Sequence, residues 1–289
     1  MGNVTIIVPV YGDWESLEKN IKSLRFSIGE KTSHTVLFVN DCGPDANMIE
    51  ANIKSLIKNW RAAKYYRNPK NLGFVGTCNR AVTELDKTRN DILLLNSDTI
   101  VTPSFLVAMT SVMYGDSTIA SVSPRSNNAT ICSIPFNPID TNVASDKAYL
   151  IYSIMRNRLP DYYVTPTTHG FCMLIRRSVI REYGLFDQMY GRGYGEENDF
   201  CLRTADAGYT HVITNRAFVY HEGSKSFTPK GRDGQVKINR QILLDRYPDY
   251  ESKVATYVES VLFPENQLIR SVIREAFSGD LTLPEIVSY

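Results

Sequence analysis

The string GYGEENDFCLR, Gly193 to Arg203, sets Glu196, Glu197 and Asp199 within four positions, after two glycines and before a helical pattern. Carboxylates this close repel one another unless a cation, a proton or the positive end of a helix offsets their charge. Held ionised at a helix start, one of them can act as a general base at neutral pH. Asp199 and Arg203 stand four apart, the spacing of a pair along one helix face, which casts Asp199 as an organiser. The plainer reading is a well-capped helix start, but three acids after Gly193 and Gly195 exceed what capping needs. A second string, YHEGSKSF from Tyr220 to Phe227, puts His221 at the end of an apolar run. A lone histidine is more often structural. Beside Glu222, Gly223 and two serines, His221 has the setting to complete a metal site. His34, His169 and His211 lack that setting and read as structural, although His169, just before Gly170, is placed to touch a ligand.

Three apolar runs upstream stop abruptly in polar residues. VTIIVPV (Val4 to Val10) leads to Tyr11, HTVLFVND (His34 to Asp41) ends in Asn40 and Asp41, and DILLLNSDT (Asp91 to Thr99) ends in Asn96, Ser97 and Asp98. Such runs are expected of strands buried on both faces. Helical patterns lie between them, through Leu17, Ile21 and Leu24, through Ile49, Ile53 and Ile57, and from Phe74 to Leu85, with a short strand at AKYYR. This βαβαβαβ order predicts a Rossmann-like, mostly parallel α/β sheet with helices on both faces. Ligands of such sheets bind outside the carboxyl ends of the strands, so Tyr11, Asp41 and Asp98 are expected to converge on one crevice. There Asp41 can accept from a ribose hydroxyl or a base N–H, or serve as a turn aspartate. Asp98 can be an oxygen ligand to a hard divalent ion whose other ligands are water and substrate phosphate, or the N-cap of a helix with Pro103 in its first turn. Gly73 and Gly76 open the third helix, where backbone N–H groups can approach a phosphate or form a structural turn.

The remainder is less regular. Ser123 to Pro138, rich in Asn, Ser and Pro, reads as a loop or lid, Asp146 to Asn157 as a helix, and Thr168 to Arg177 as a strand. HVIT and AFVYH read as two short strands, and from about Gly234 the pattern is helical and amphipathic, forming a tail that packs on the core, extends it or makes a contact between copies. The 289 residues carry a net charge of +1, which excludes a strong pull toward nucleic acid or an anionic membrane. Five scattered cysteines without a CxxC pair argue against a zinc site or a disulfide framework. Reduced thiols, no signal peptide and no run of about 20 apolar residues predict a cytoplasmic protein, with peripheral contact at the inner face of the membrane left open.

The ordered set VPVY, Asp41, NLGF, Asn79, LLLNSDT, GFCMLIRR, GYGEENDFCLR and YHEGSKSF resembles the family 2 glycosyltransferases, which have the GT-A fold, over roughly Val4 to Phe227. The GYGEEND string is similar to that of transferases of bacterial surface polysaccharides. The resemblance implies a GT-A domain over residues 1–230, its nucleotide-binding half to about residue 100 and its acceptor half beyond, with a C-terminal helical extension over 231–289. It places Pro9, Val10, Tyr11, Asp41, Asn71, Gly73, Asn79 and Ser97 at the nucleotide, and Asp98 with His221 on Mn2+ or Mg2+. Glu197 matches the base of the family's paired acids, with Glu196 as the alternative, and Asp199, Arg203 and Gly170 support them. Asn96 stands where the family's metal motif begins with Asp, which puts the metal on Asp98 and His221. The base is Glu rather than Asp, which carries the carboxylate about one methylene further out. The implied reaction is inverting transfer from a nucleotide-diphosphate sugar, UDP or dTDP favoured, to a hydroxyl of a glycan or lipid-linked glycan. A sugar-1-phosphate nucleotidyltransferase would share the core but not need the acid cluster, and release of pyrophosphate would reveal it. A dinucleotide oxidoreductase is disfavoured because VPVYGDW stands where GxGxxG would follow the first strand. A non-catalytic sugar-nucleotide-binding module would not need acids at every matched position.

Overall fold

A computed structural model of the chain describes residues 2–137, 144–223 and 229–277. Its first half alternates as the apolar runs predict: β1 (Val4–Val10), α1 (Trp14–Ile28), β2 (Thr35–Asn40), α2 (Ala46–Ile57), β3 (Ala63–Arg67), α3 (Gly73–Arg80) and β4 (Asp91–Leu95). Strands β3, β2, β1 and β4 pair in parallel. Successive side chains of a strand point to opposite faces, and β1 shows it. Ile6 and Val8 join Leu17, Ile21 and Ile53 in one core, while Ile7 joins Val75, Cys78 and Phe200 in the other. Both faces are thus covered, as a parallel sheet requires. Asp13 starts α1 by accepting the Ser16 N–H at 3.3 Å.

The second half adds β5 (Thr99–Val101), α4 (Phe105–Gly115), β6 (Ile119–Arg125), α5 (Ser145–Met155), β7 (Tyr162–Thr165), β8 (Cys172–Ile175), α6 (Arg177–Tyr183), α7 (Glu196–Ala205) and β9 (Thr210–His221). The sheet runs β3-β2-β1-β4-β8-β6-β9-β5, with β7 also on β9. Strand β8 enters antiparallel between β4 and β6. Helices α8 (Pro229–Arg246), α9 (Tyr250–Tyr257) and α10 (Phe263–Phe277) complete the described chain. They are built into the core: Leu243 of α8 packs with Phe200, and Ile269 and Ile273 of α10 pack with Phe218. Among the described residues no helix is long and apolar enough to cross a membrane.

Four local expectations change. The run Asp91 to Thr99 is two strands, because the chain turns at Asn96–Asp98 and β5 leaves to pair antiparallel with β9. HVIT and AFVYH are one strand, β9, whose register against β6 shifts between Pro124 and Arg125. Helix α4 begins at Phe105 with Ser104 as its N-cap, so Pro103 lies outside the first turn. Ser123 to Arg125 are not loop but the end of β6. Its buried serines break the apolar pattern yet are satisfied across the sheet, Ser121 by Thr168 and His211, and Ser123 by the carbonyls of His169 and Cys172. Ser126 to Ile134, expected as a loop or lid, is irregular around a short turn at Thr130–Cys132 but mostly buried, which does not suit a lid. Strand β7 and helix α6 had no counterpart in the reading. Pro138, Ser224 to Phe227 and residues 278–289 lie outside the described residues.

Candidate active site

The turn at Asn96–Asp98 is shaped by a buried side chain from α1. Asn20 Nδ2 donates to the carbonyls of Asn96 (3.2 Å) and Thr99 (3.1 Å), and Thr99 Oγ1 donates to Asn96 O at 2.7 Å. On the other side the Asn96 N–H donates to Phe171 O at 2.8 Å. The chain emerges at Thr99 directly opposite His221 in the β5–β9 ladder. Asp98 Oδ1 then lies 3.5 Å from His221 Nε2. That distance is long for a good hydrogen bond, and this buried nitrogen has no hydrogen-bond partner among the described residues. A carboxylate and an imidazole lone pair facing each other across a short gap fit one divalent cation completed by substrate phosphate. Burial pulls the His221 pKa down, but Asp98 and the Asn128 carbonyl outweigh it and hold it above the ordinary value. Ser97, half-buried, sits within the same turn.

The paired glutamates open α7, and adjacent helical positions point in different directions. Glu197 lies over Gly170, where an added Cβ would be 3.7 Å from its Oε1. Glu196 turns toward α3: a Cβ at Gly193 would lie 3.8 Å from each of its carboxylate oxygens and 3.6 Å from Phe74 Cβ. One oxygen of each glutamate, Oε2, is buried without a partner among the described residues. Burial raises the Glu197 pKa against the pull of the backbone amides around it, Gly170's among them. Glu196 is pushed well above its ordinary range by burial and by the charge of Glu197. Of the two coupled carboxyls, Glu196 is thus held further above its ordinary range and keeps its proton to higher pH than Glu197 does. Native Glu196 holds its proton more tightly than the unfolded chain does. Its contribution to stability is therefore present below the unfolded value of about 4.3 and is lost as pH rises through the folded one. Glu196→Gln, which cannot ionise, is expected to melt about 2–4 °C above the parent at pH 8 and level with it at pH 4. Calorimetry at the two pH values checks this, and a variant that melts lower at pH 8 would show that the ionised carboxylate is stabilised instead.

Asp199 organises, as its spacing with Arg203 predicts. Fully buried, it receives Arg203 Nε at 3.4 Å, Tyr190 OH at 3.3 Å and Arg246 Nη1 of α8 at 2.7 Å. Arg203 also ties to the carbonyls of Tyr183 and Leu185. Asn239 of α8 donates to Tyr190 O (2.9 Å) and Gly193 O (2.8 Å), latching the glycine loop that leads into Glu196. Asn20, Asn239 and Arg246 escaped the sequence reading. Each works by bonding residues remote in sequence, which leaves no local pattern.

On the nucleotide side the expected residues separate. Tyr11 is partly exposed just beyond β1, Pro9 is half-buried, and Val10 is a core residue whose carbonyl accepts the Asp41 N–H at 2.9 Å. Asp41 is buried and already holds the start of α3. Its Oδ1 accepts from Asn68 Nδ2 and the Leu72 N–H, each at 2.7 Å, and its Oδ2 accepts from the Gly73 N–H at 2.9 Å. Asn71 Oδ1 shares that Gly73 N–H. Gly73, at φ +73°, must be glycine both for its backbone and because a Cβ there would come within 3.0 Å of Arg192 Cα. Asn79 clasps the Phe186 backbone, its Oδ1 accepting the Phe186 N–H at 3.1 Å and its Nδ2 donating to Phe186 O at 2.8 Å.

The sequence model described as Glycosyl transferase family 2 matches residues 5–184. No match is found among the curated proteins. Among solved structures, GalNAc-T7 with UDP, GalNAc and Mn2+ aligns with a TM-score of 0.62 at 13% identity, over 98% of this chain and 58% of that one. The chain thus spans less than two thirds of that protein. The mannosyltransferase PcManGT from Pyrobaculum calidifontis, in complex with GDP-Man and Mn2+, aligns at 0.63 and 14% identity, over 98% and 77% of the two chains. S. aureus TarS 1-349 aligns at 0.54 and 13% identity, over 97% and 76%. At such identities the likeness is one of fold, the GT-A arrangement of sheet and helices. With the larger part of its length matched by the family's sequence model, the chain belongs to glycosyl transferase family 2.

Proposed function

We propose that the chain is an inverting transferase that moves a hexosyl or deoxyhexosyl group from a UDP- or dTDP-sugar to a hydroxyl of a glycan or lipid-linked glycan, in bacterial surface polysaccharide or glycoconjugate synthesis. The observation that carries this reading is the step Gly170–Phe171. Its first residue underlies Glu197, while its second receives Asn96 and stacks its ring on His221 at 5.2 Å. One short segment thus touches both Glu197 and the ring of His221, which supports a base near the Asp98–His221 pair. Asp98 and His221 would hold Mn2+ or Mg2+, which when bound offsets charge on the leaving diphosphate. Solved neighbours of this fold carry Mn2+ with UDP or GDP-Man, which supports a nucleotide sugar and a metal here. Glu197 accepts the proton of the acceptor hydroxyl while that oxygen forms its bond to the anomeric carbon. The bond from that carbon to the diphosphate oxygen breaks on the opposite face, so the configuration inverts. On this reading the protein works in the cytoplasm, at the inner face of the membrane when its acceptor is lipid-linked.

A thermal-shift screen of UDP-, dTDP- and GDP-sugars, with and without Mn2+, tests the donor. A ligand at 100 times its Kd stabilises by about 2.7 kcal/mol, so a rise of several degrees is expected with a UDP- or dTDP-sugar and Mn2+ together. Asp98→Asn is expected to remove the part of the shift that depends on Mn2+. The absence of a shift with every nucleotide sugar would refute the transferase reading.

A further inference from the structure

We infer that Asn127 and Asn128 are positioning residues for His221, fixing where its ring lies and which ring nitrogen is open to a cation. The inference rests on the metal-site reading above. Strand β9 reaches His221 with β5 on one side only, because its pairing with β6 ends at Arg125 opposite Phe218. Where that ladder stops, a side chain continues it. Asn127 Oδ1 accepts the His221 N–H at 2.9 Å and its Nδ2 donates to the His221 carbonyl at 3.1 Å. A carboxamide is the side chain that offers a donor and an acceptor in the manner of a peptide group. The next residue acts on the ring. His221 Nδ1 lies 2.6 Å from Asn128 O. A carbonyl oxygen only accepts, so Nδ1 carries a proton, and in the neutral ring the lone pair is on Nε2, the nitrogen that faces Asp98. The Asn128 side chain also closes over Gly223, where an added Cβ would fall 2.3 Å from Nδ2. The turn that presents both asparagines is itself fastened. The Ile134 N–H donates to Ser126 O and the Ala129 N–H to Ser133 Oγ, each at 2.9 Å. Phe171 stacks on the imidazole and limits its rotation.

Partners behind a ligating histidine fix its tautomer and orientation, and their loss weakens metal binding about 10–100-fold. Titration of the full chain with Mn2+ alone, followed by the electron paramagnetic resonance of free Mn2+, tests the inference. Asn127→Ala is expected to weaken Mn2+ about 10–100-fold with an unchanged far-ultraviolet circular dichroism spectrum. Asn127→Asp keeps the acceptor and loses the donor, and is expected to lie between Asn127→Ala and the parent. His221→Ala serves as the reference for loss of the ligand. In the metal-free parent, nitrogen NMR of labelled imidazoles at pH 8 is expected to show His221, assigned with His221→Ala, as the Nδ1–H tautomer. This measurement tests the part of the inference that rests on Asn128 even where Asn127→Ala does not fold. The inference is overturned by a folded Asn127→Ala that binds Mn2+ within twofold of the parent while His221→Ala does not, or by a His221 proton on Nε2. If His221→Ala itself binds Mn2+ like the parent, the metal-site reading falls and takes this inference with it.

Discussion

Replacing Glu197 by glutamine is expected to lower kcat by about 10²–10⁴-fold, the range contributed by a positioned general base. The amide keeps the shape of the side chain and cannot take the acceptor's proton. Nucleotide sugar and Mn2+ should bind within about twofold of the parent, because Glu197 packs over Gly170 rather than against Asp98 or His221. The pH profile supplies a second check. Burial holds the Glu197 carboxyl above its ordinary range, and only the ionised form accepts a proton. The parent's kcat should therefore fall on the acid side at a pH above the ordinary carboxylate value of about 4.3. That limb should be missing from the residual rate of Glu197→Gln. Product assays from pH 4 to 9, with calorimetric titration of the nucleotide, separate the outcomes. Loss of nucleotide binding together with transfer would remove Glu197 from the role of base. A larger loss in Glu196→Gln would transfer that role to its neighbour.

Glu265→Ala is expected to destabilise the fold by about 3–5 kcal/mol, the loss typical when a buried ion pair is broken from one side. Arg125 of β6 and Glu265 of α10 form an ion pair from which solvent is wholly excluded. Arg125 Nε also donates to Asn215 Oδ1 of β9 at 2.7 Å. A guanidinium does not shed its charge, so removal of Glu265 strands it in the core. Arg125→Met combined with Glu265→Leu removes both charges and is expected to recover most of the loss, since apolar replacements of such pairs are often neutral. Denaturant melts of the parent, the single and the double variant measure this. A single variant within 1 kcal/mol of the parent would show that water reaches the pair. This pair pins α10 to the strand that leads into Asn127 and Asn128.

Much of this architecture is written locally. An apolar β-branched run such as Val4 to Val10 is buried on both faces whatever its neighbours, and the polar residues where Val10, Asn40 and Leu95 end mark the carboxyl edge of the sheet, where such folds bind their ligands. The glycine approach and the helical pattern from Glu196 likewise announce an acid-rich helix start, and Asp199 with Arg203 four positions on announces its brace. Strand β6 was not legible, because Ser121, Ser123 and Arg125 interrupt its apolar run and are tolerated only where partners across the sheet satisfy them.

From the sequence alone came the strand–helix alternation of the first half, the acids at the strand ends and the family resemblance, since each depends on short-range periodicity and on residue type. The tertiary structure alone decided that Asp98 meets His221, because that contact is made by the antiparallel pairing of β5 with β9 between distant segments. It also decided which glutamate of the pair lies over Gly170. Adjacent helical side chains diverge by about 100°, and only the packing of α7 determines that Glu197 lies over Gly170 and Glu196 beside Gly193. Asn20, Asn127 and Asn239 act through side-chain hydrogen bonds to backbone far away in sequence. Such bonds have no period, so they exist only in the folded chain.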